Sequence, residues 1–488
     1  MTPRHFPAGC YVITGASGAG KSTIVAALSE LGYATVPEAA LDILREQKEH
    51  GGDMLPWANR PAFMEEVFKR NVRNYQAAQS LKAPVFFDRG IPECLAWLQL
   101  SGLALEPHHL AAPARYRYAS TVFVAEPWPE VYVQDAERRA SFEQATRSYA
   151  PTVNAYVGAG YSTCVIPKGS VQERVAFVLQ QVAKMGCWEA RACQNEMMST
   201  STSFFLSNAD GTKVVTYTWA GVAGKPVGVV QISHGLAEHG ERYDRFAKAL
   251  NAAGFLVHAV DHRGHGRTAN GRLGDFGPAG FGGMIADVAQ FGSLLRAQHD
   301  GLPLFLLGHS MGSFAAQAAI LDHASAWAGV VLSGSTAMDV LAAGLANAPA
   351  DAPAGLEAFN AGFEHRTGYE WLSRDAAEVD AYVADPWCGW DVPDNVIPSL
   401  FAPAPRLADP ALLAGIPRDL PILIASGDAD PLAGGGALVQ LLGQRYQDAG
   451  VSDVTVKLYP AARHEILNET NRDEVTADMV AWLRAHTA

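Results

Sequence analysis

The chain has no run approaching the ~18 apolar residues that a membrane-spanning helix needs. Its opening, MTPRHFPAGC, lacks the apolar core of a secretory leader. Neither a transmembrane nor a secreted protein is expected, and the expected home is the cytoplasm. Cysteine is sparse. The six (Cys10, Cys94, Cys164, Cys187, Cys193, Cys388) show neither C-x-x-C nor Cys/His metal spacing, which disfavours a disulfide framework or a structural metal. Positive charge is nowhere clustered, so a nucleic-acid partner has no electrostatic support. Lys+Arg against Asp+Glu stands at 18 to 17 over residues 1–186 and 19 to 33 over 187–488, within a net charge of -13. The acidic second part also argues against docking on anionic membranes.

What remains is a 488-residue chain, 49% hydrophobic and 18% charged, ample for two or three cored domains. Near its start, Cys10 to Thr14 reads as an apolar strand. It runs into Gly15-Ala-Ser-Gly-Ala-Gly20-Lys21-Ser22 and then a helix that stops at Gly32. This is G-x-x-x-x-G-K-S at a strand-to-helix junction. Its glycines let backbone N–H groups face phosphates, and the helix N-terminus adds the positive end of a dipole. The residues expected around a nucleotide are Gly15, Ser17, Gly18, Ala19, Gly20, Lys21, Ser22 and Thr23. Lys21 is expected to reach the β/γ-phosphates, and the Ser22 hydroxyl to sit on Mg²⁺. A second strand, Pro84 to Phe87, ends at Asp88, which fits a Mg²⁺ contact, a base on an acceptor hydroxyl, or the cap of a turn. Arg138 and Arg139 fit either closure over the phosphates or a solvated helix face. Further strands at Thr121 to Ala125 and Tyr161 to Pro167, with a helix over Val171 to Val182, imply a parallel sheet covered on both faces.

Residues 1–186 resemble a family of bacterial P-loop ATPases with a small-kinase-like layout. The carrying stretches are GASGAGKST, VPEAA around Glu38, FFDRG, and ERRASFEQATRSYAPTVNAYVGAGY followed by VIPKGSVQERVAFVL. The resemblance implies binding of ATP with Mg²⁺ more than any one reaction, and puts Glu38 where small kinases often hold an acceptor. Residues 187–203 lack a helix or strand period and read as a linker.

The later part is organised around PLFLLGHSMG, Pro303 to Gly312. Apolar strand, G-x-S-x-G and a helix of small residues follow one another, and the turn must lift the Ser310 hydroxyl clear of the sheet edge. Ser310 is the expected nucleophile. Strand Leu420 to Ser426 leads to Gly427-Asp-Ala-Asp430, where Asp430 is the expected acid and Asp428 a turn former. Strand Val454 to Tyr459 leads to His464, the expected base: Nε2 takes the Ser310 proton while Asp430 holds Nδ1–H. Serine, acid and histidine, in that order and each after a strand, carry the reading. The expected oxyanion donors are the backbone N–H groups of Met311 and Leu236. His234, His239, His262 and His265 precede the serine and read as loop structure. Between about 335 and 416 the strand–helix alternation stops, and an Ala-, Pro- and aromatic-rich segment reads as a helical cap. Most of its aromatics are expected to fill the cap's own core, with a few facing an apolar tunnel.

Residues 204–488 resemble the monoacylglycerol lipase and lysophospholipase group of α/β-hydrolases, also described as serine-aminopeptidase-like. The motifs are HGLAEHGERY, DHRGHGRT, GHSMGS, DPWCGW, SGDADPLAGG and LYPAARHEILNE. The resemblance implies hydrolysis of carboxylic esters of monoacylglycerol or lysolipid type through an acyl-serine, with no cofactor for that half. The expected fold class is α/β: a P-loop NTPase-type parallel-sheet domain over 1–186, then an α/β-hydrolase domain over 204–488 with a helical cap. The partners so implied are a small ester or lipid and a nucleotide. A kinase or ATPase as the main activity, a nucleotide-gated hydrolase and a serine peptidase stay open as alternatives.

Overall fold

The computed structural model describes residues 9–81, 83–132, 141–182, 200–347 and 355–487. These form two compact units. One takes the residues up to 182 together with Ser203–Leu206; the other takes 200–202 and everything from Ser207 onward.

The first unit is built on five strands, β1 (Cys10–Gly15), β2 (Ala34–Val36), β3 (Val85–Asp88), β4 (Thr121–Ala125) and β5 (Ser162–Val165), in the order β2-β3-β1-β4-β5. All four pairings are parallel. Every residue of β1 and of β3 is buried, the pattern of parallel strands with helices on both faces. Ile13 pairs with Asp88, so the acid at the end of β3 stands beside the loop that leaves β1. The expected strand over 161–167 is shorter, at Ser162–Val165, and residues 171–182 are helical. Arg138 and Arg139 lie outside the described residues.

Of the stretch expected as a linker, 187–199 lies outside the described residues. Thr200–Ser203 is strand instead, the start of β6 (Thr200–Leu206). Side chains hold this strand: Thr163 N–H donates to Ser203 Oγ at 3.0 Å, and the Asn154 amide donates to Leu206 O at 2.8 Å and accepts from Leu206 N–H at 2.9 Å. A side chain 52 positions away thus satisfies both backbone polar groups of Leu206.

The second unit carries β7 (Lys213–Trp219), β8 (Gly228–Ser233), β9 (Phe255–Val260), β10 (Leu304–His309), β11 (Gly329–Ser333), β12 (Ile422–Gly427) and β13 (Val454–Tyr459). Its sheet runs β13-β12-β11-β10-β8-β9-β7-β6. The β7–β9 pairing is antiparallel, whereas β8–β9, β8–β10, β10–β11, β11–β12 and β12–β13 are parallel. β8, β10, β11 and β12 are buried throughout, and β10 lies centrally. Helix Gly280–Gln298 opens with Gly280, Gly282 and Gly283 in its first turn, poor helix formers that hide its start in the sequence. Between β11 and β12 the described chain forms helices Met338–Ala346, Ala376–Ala384, Val396–Phe401, Ala404–Leu407 and Pro410–Leu413. Among the described residues no helix is long and apolar enough to cross a membrane.

Candidate active site

In the second unit, Ser310 sits between β10 and helix Met311–His323 with φ 50° and ψ -122°. The tight turn around that strained residue is possible because Gly308 and Gly312 carry no Cβ. A Cβ on Gly308 would stand 2.5 Å from Gly312 O, and one on Gly312 would run into Ser233 O and His234 O. Ser310 N–H donates to Ser333 O at 2.9 Å, and His309 pairs with Ser333. Ser310 therefore lies alongside Gly334.

His464 reaches the same place from the loop after β13. Its Cε1 would lie 3.0 Å from a Cβ on Gly334, and its ring is 4.8 Å from that of His309. Nδ1 is 2.8 Å from Asp430 Oδ2. Asp430 is itself fixed: Oδ1 accepts from Leu432 N–H at 2.9 Å, and Oδ2 from the Ser426 hydroxyl at 3.2 Å. His464 Nε2 is buried without a partner, so no hydrogen bond to Ser310 Oγ is formed. Such bonds are commonly long before substrate binds. Burial alone would lower the His464 pKa, but the Asp430 charge and hydrogen bond, with Glu465 and Glu238, raise it above its ordinary value. Asp428 stands apart, accepting from Ala461 N–H at 2.6 Å in the turn.

The loop after β8 presents its N–H groups unequally. Gly235 N–H donates to Glu238 Oε1, and Ala237 N–H to His265 Nε2. Between them, Leu236 N–H has no protein acceptor among the described residues, and neither has Met311 N–H at the helix start. Three of the four early histidines are loop fasteners in their contacts. His234 lies against Gly235 O and accepts from His262 N–H; His262 meets the Ser233 hydroxyl; His265 holds Arg263 O and Ala237 N–H. Burial drives the pKa of His234 and of His265 down to about 3 and that of His262 well below its usual value, which keeps all three neutral. His239 differs, with Nε2 on Asp385 at 2.9 Å.

Sequence reasoning missed what ties these loops together. Arg242 bonds Glu465 through both terminal nitrogens, at 2.6 and 2.8 Å, and Glu238 at 2.7 Å. One guanidinium thus joins the Leu236 loop to the residue after His464. Tyr382 of the cap donates to Ala237 O at 2.8 Å and lies under Arg242 at 4.9 Å. Trp371, also of the cap, packs on the His464 ring at 4.8 Å. At least these two aromatics face the serine–histidine loops rather than only the cap's own core. Glu238 and Arg242 are four apart and could have been paired from spacing; Glu465, 223 residues on, could not.

In the first unit, the loop Gly15–Thr23 has Gly15, Gly18 and Gly20 at φ 119°, 74° and 76°, values that disfavour any side chain. Lys21 is buried with Nζ on Ala16 O at 2.5 Å. Burial and the Arg89 charge lower its pKa to about 8, against the pull of Asp88, Glu38 and Glu93. Asp88 accepts from the Ser22 side chain, while its buried Oδ1 has no partner. Burial, then Glu38, raises its pKa. Ser17 and Ala19 lie inside the loop and Thr23 in the first helical turn. A hydroxyl and an unsatisfied carboxylate oxygen at the end of β3, facing a glycine loop and a lysine, fit a Mg²⁺–nucleotide. Arg89, unpredicted, has φ 76° and reaches Glu38 at 3.0 Å and Glu93 at 3.4 Å.

Residues 224–471, just over half of the chain, match the model of a family described as serine aminopeptidase, S33. Residues 10–174 match that of a family described as AAA domain. The chain is 29% identical over 299 residues to the monoacylglycerol lipase of Mycolicibacterium smegmatis, across 59% of this chain and 99% of that one. It is 30% identical over 282 residues to the monoglyceride lipase of Mus musculus, across 54% and 84%. Among solved structures, a thermostable carboxyl esterase from Bacillus coagulans in complex with glycerol aligns with TM-score 0.52 at 28% identity, covering 60% of this chain and all of that one.

Proposed function

Because the chain belongs to the serine aminopeptidase S33 family of hydrolases through residues 224–471, we propose that Ser310, His464 and Asp430 form a catalytic triad that cleaves the acyl ester of monoacylglycerols or lysolipids. The enzyme is a carboxylic ester hydrolase of monoacylglycerol lipase type. The observation that carries the triad is His464: Asp430 occupies Nδ1, and Nε2 is left buried and unpartnered beside the Ser310 turn. In this reading His464 takes the Ser310 proton as Oγ attacks the ester carbonyl. The N–H groups of Leu236 and Met311 hold the resulting oxyanion, the latter with the positive end of its helix behind it. His464⁺ then gives its proton to the departing glycerol oxygen, and water releases the acid by the reverse path. Trp371 of the cap, 4% exposed and packed on the His464 ring, makes the surroundings of the histidine apolar, which fits a lipid ester.

The test is Ser310→Ala against a chain-length panel of p-nitrophenyl acyl esters and monoacylglycerols. Turnover falls by about 10⁶-fold, the scale of nucleophile loss in another triad enzyme. Undiminished hydrolysis removes the assignment. A matched amide panel decides between esterase and peptidase. For the first unit the reading is binding of ATP with Mg²⁺ at Gly15–Thr23. It is supported by the glycine conformations and by the Ser22–Asp88 pair, which would hold the ion.

A further inference from the structure

Among the described residues three arginines are buried: Arg89, Arg174 and Arg263. Two are compensated. Arg89 contacts Glu38 and Glu93, and Arg263 contacts Asp210 and Asp287. Arg174, on the helix over 171–182, is 4% exposed and has no carboxylate partner among the described residues, where its Nε also lacks any hydrogen bond. Burial alone pulls its pKa down, with no opposing anion. A lone guanidinium removed from water is costly, and folded chains bury arginine with a counter-charge.

The place where this cation is held points to the missing anion. Arg174 Nη1 would lie 2.8 Å from a Cβ on Gly20, so the guanidinium overhangs the residue that begins the first helix. Backbone N–H groups and the helix dipole already favour negative charge there. Its other neighbour is Trp128, whose ring centre lies 5.5 Å from the guanidinium carbon and 5.9 Å from Lys168 Nζ. That ring shapes the position of Arg174 without neutralising it. Lys21, on the same loop, supplies a second buried cation. Asp88 is the acid beside Lys21, and it is engaged by Ser22.

We propose that Arg174 is a phosphate-binding residue: its guanidinium is held in reserve for a phosphate oxygen of the polyphosphate seated on Gly15–Thr23. The proposal rests on the nucleotide reading of that loop and adds to it a residue outside the loop, brought by the last helix of the unit. The ligand is recognised by its phosphates; ATP and free tripolyphosphate share that chemistry.

The experiment is calorimetric titration of the full chain with ATP, tripolyphosphate and adenosine, in Mg²⁺, for wild type, Arg174→Met, Arg174→Lys and Lys21→Ala. Arg174→Met weakens ATP and tripolyphosphate by about 10- to 100-fold, the scale of a charge-assisted contact. It does not lower the thermal midpoint of the unliganded protein, because the variant sheds an uncompensated buried charge. Arg174→Lys, with a point charge in place of the planar fork, loses at least about threefold. Wild-type affinity in both Arg174 variants overturns the proposal. So does a lower unliganded midpoint with undiminished affinity, the result of a purely structural contact with Trp128. If Arg174→Met does not fold, wild-type affinity in Arg174→Lys overturns it alone. Tripolyphosphate binding retained while ATP binding is lost also overturns it. Failure of the underlying nucleotide reading looks different: wild type and Lys21→Ala then both ignore ATP and tripolyphosphate.

Discussion

Replacing Asp430 by asparagine tests the proton path without removing an atom from the packing. Leu432 N–H donates to Asp430 Oδ1 at 2.9 Å, so in the variant the amide oxygen must stay on that side, or a buried N–H loses its acceptor. The amide nitrogen then faces His464 Nδ1, where Oδ2 stood at 2.8 Å. That nitrogen donates, which forces the histidine proton onto Nε2. The atom that should accept from Ser310 already carries a hydrogen. The expected loss is about 10⁴-fold in kcat, equivalent to about 5.5 kcal/mol, the scale of the same exchange in another triad hydrolase. Thermal stability should change little, since shape and the Leu432 bond survive. The assay is steady-state hydrolysis of a p-nitrophenyl ester over a pH series, with circular dichroism to confirm the fold. The pH profile carries a second sign. Asp430 is the largest influence raising the His464 pKa, opposing burial, so whatever activity remains loses its acid limb toward lower pH. A folded Asp430→Asn enzyme within tenfold of wild type, at any pH, refutes the reasoning.

In the wild-type enzyme, kcat/KM for a neutral ester should fall on acidification with a midpoint above the ordinary imidazole value of 6.5, because only neutral His464 accepts a proton; a midpoint below it contradicts the ion pair. Arg242→Met strands Glu238 and Glu465 in the interior and should cost about 3–5 kcal/mol by chemical denaturation. Burial acts to raise both carboxyls and Arg242 holds them below their usual range, so the wild-type advantage shrinks as pH falls through that range. Lys21→Ala should abolish the shift in melting midpoint that ATP produces and leave ester hydrolysis unchanged; equal loss of both would tie the ester chemistry to the nucleotide site.

Both sheets were legible in the residue order because buried parallel strands appear as short apolar runs between glycine stops, as in CYVIT and PLFLLGHSMG. The glycine loops were legible for a related reason: Gly18 and Gly20 answer a demand for positive φ, and Gly308 and Gly312 a demand for close approach of backbone. Thr200–Ser203 was not legible. Its serines and threonines look like linker, and the contact that holds its end, Ser203 on Thr163, joins it to a residue of another element.

What the linear sequence determined here is local: which residues can turn, which can span a sheet, and which side chains stand on the loops proposed to hold a nucleophile, a base or a phosphate. The parallel registers of β10 with β11 and of β11 with β12 decided that Ser310 would lie beside Gly334 and that His464 would reach the same spot from the loop after β13. Tertiary structure alone joined Arg242 to Glu465 and left Arg174 without a counter-charge among the described residues. The physical reason is that charge compensation in a low-dielectric interior depends on distances of a few ångströms between atoms, and chain separation carries no record of those distances.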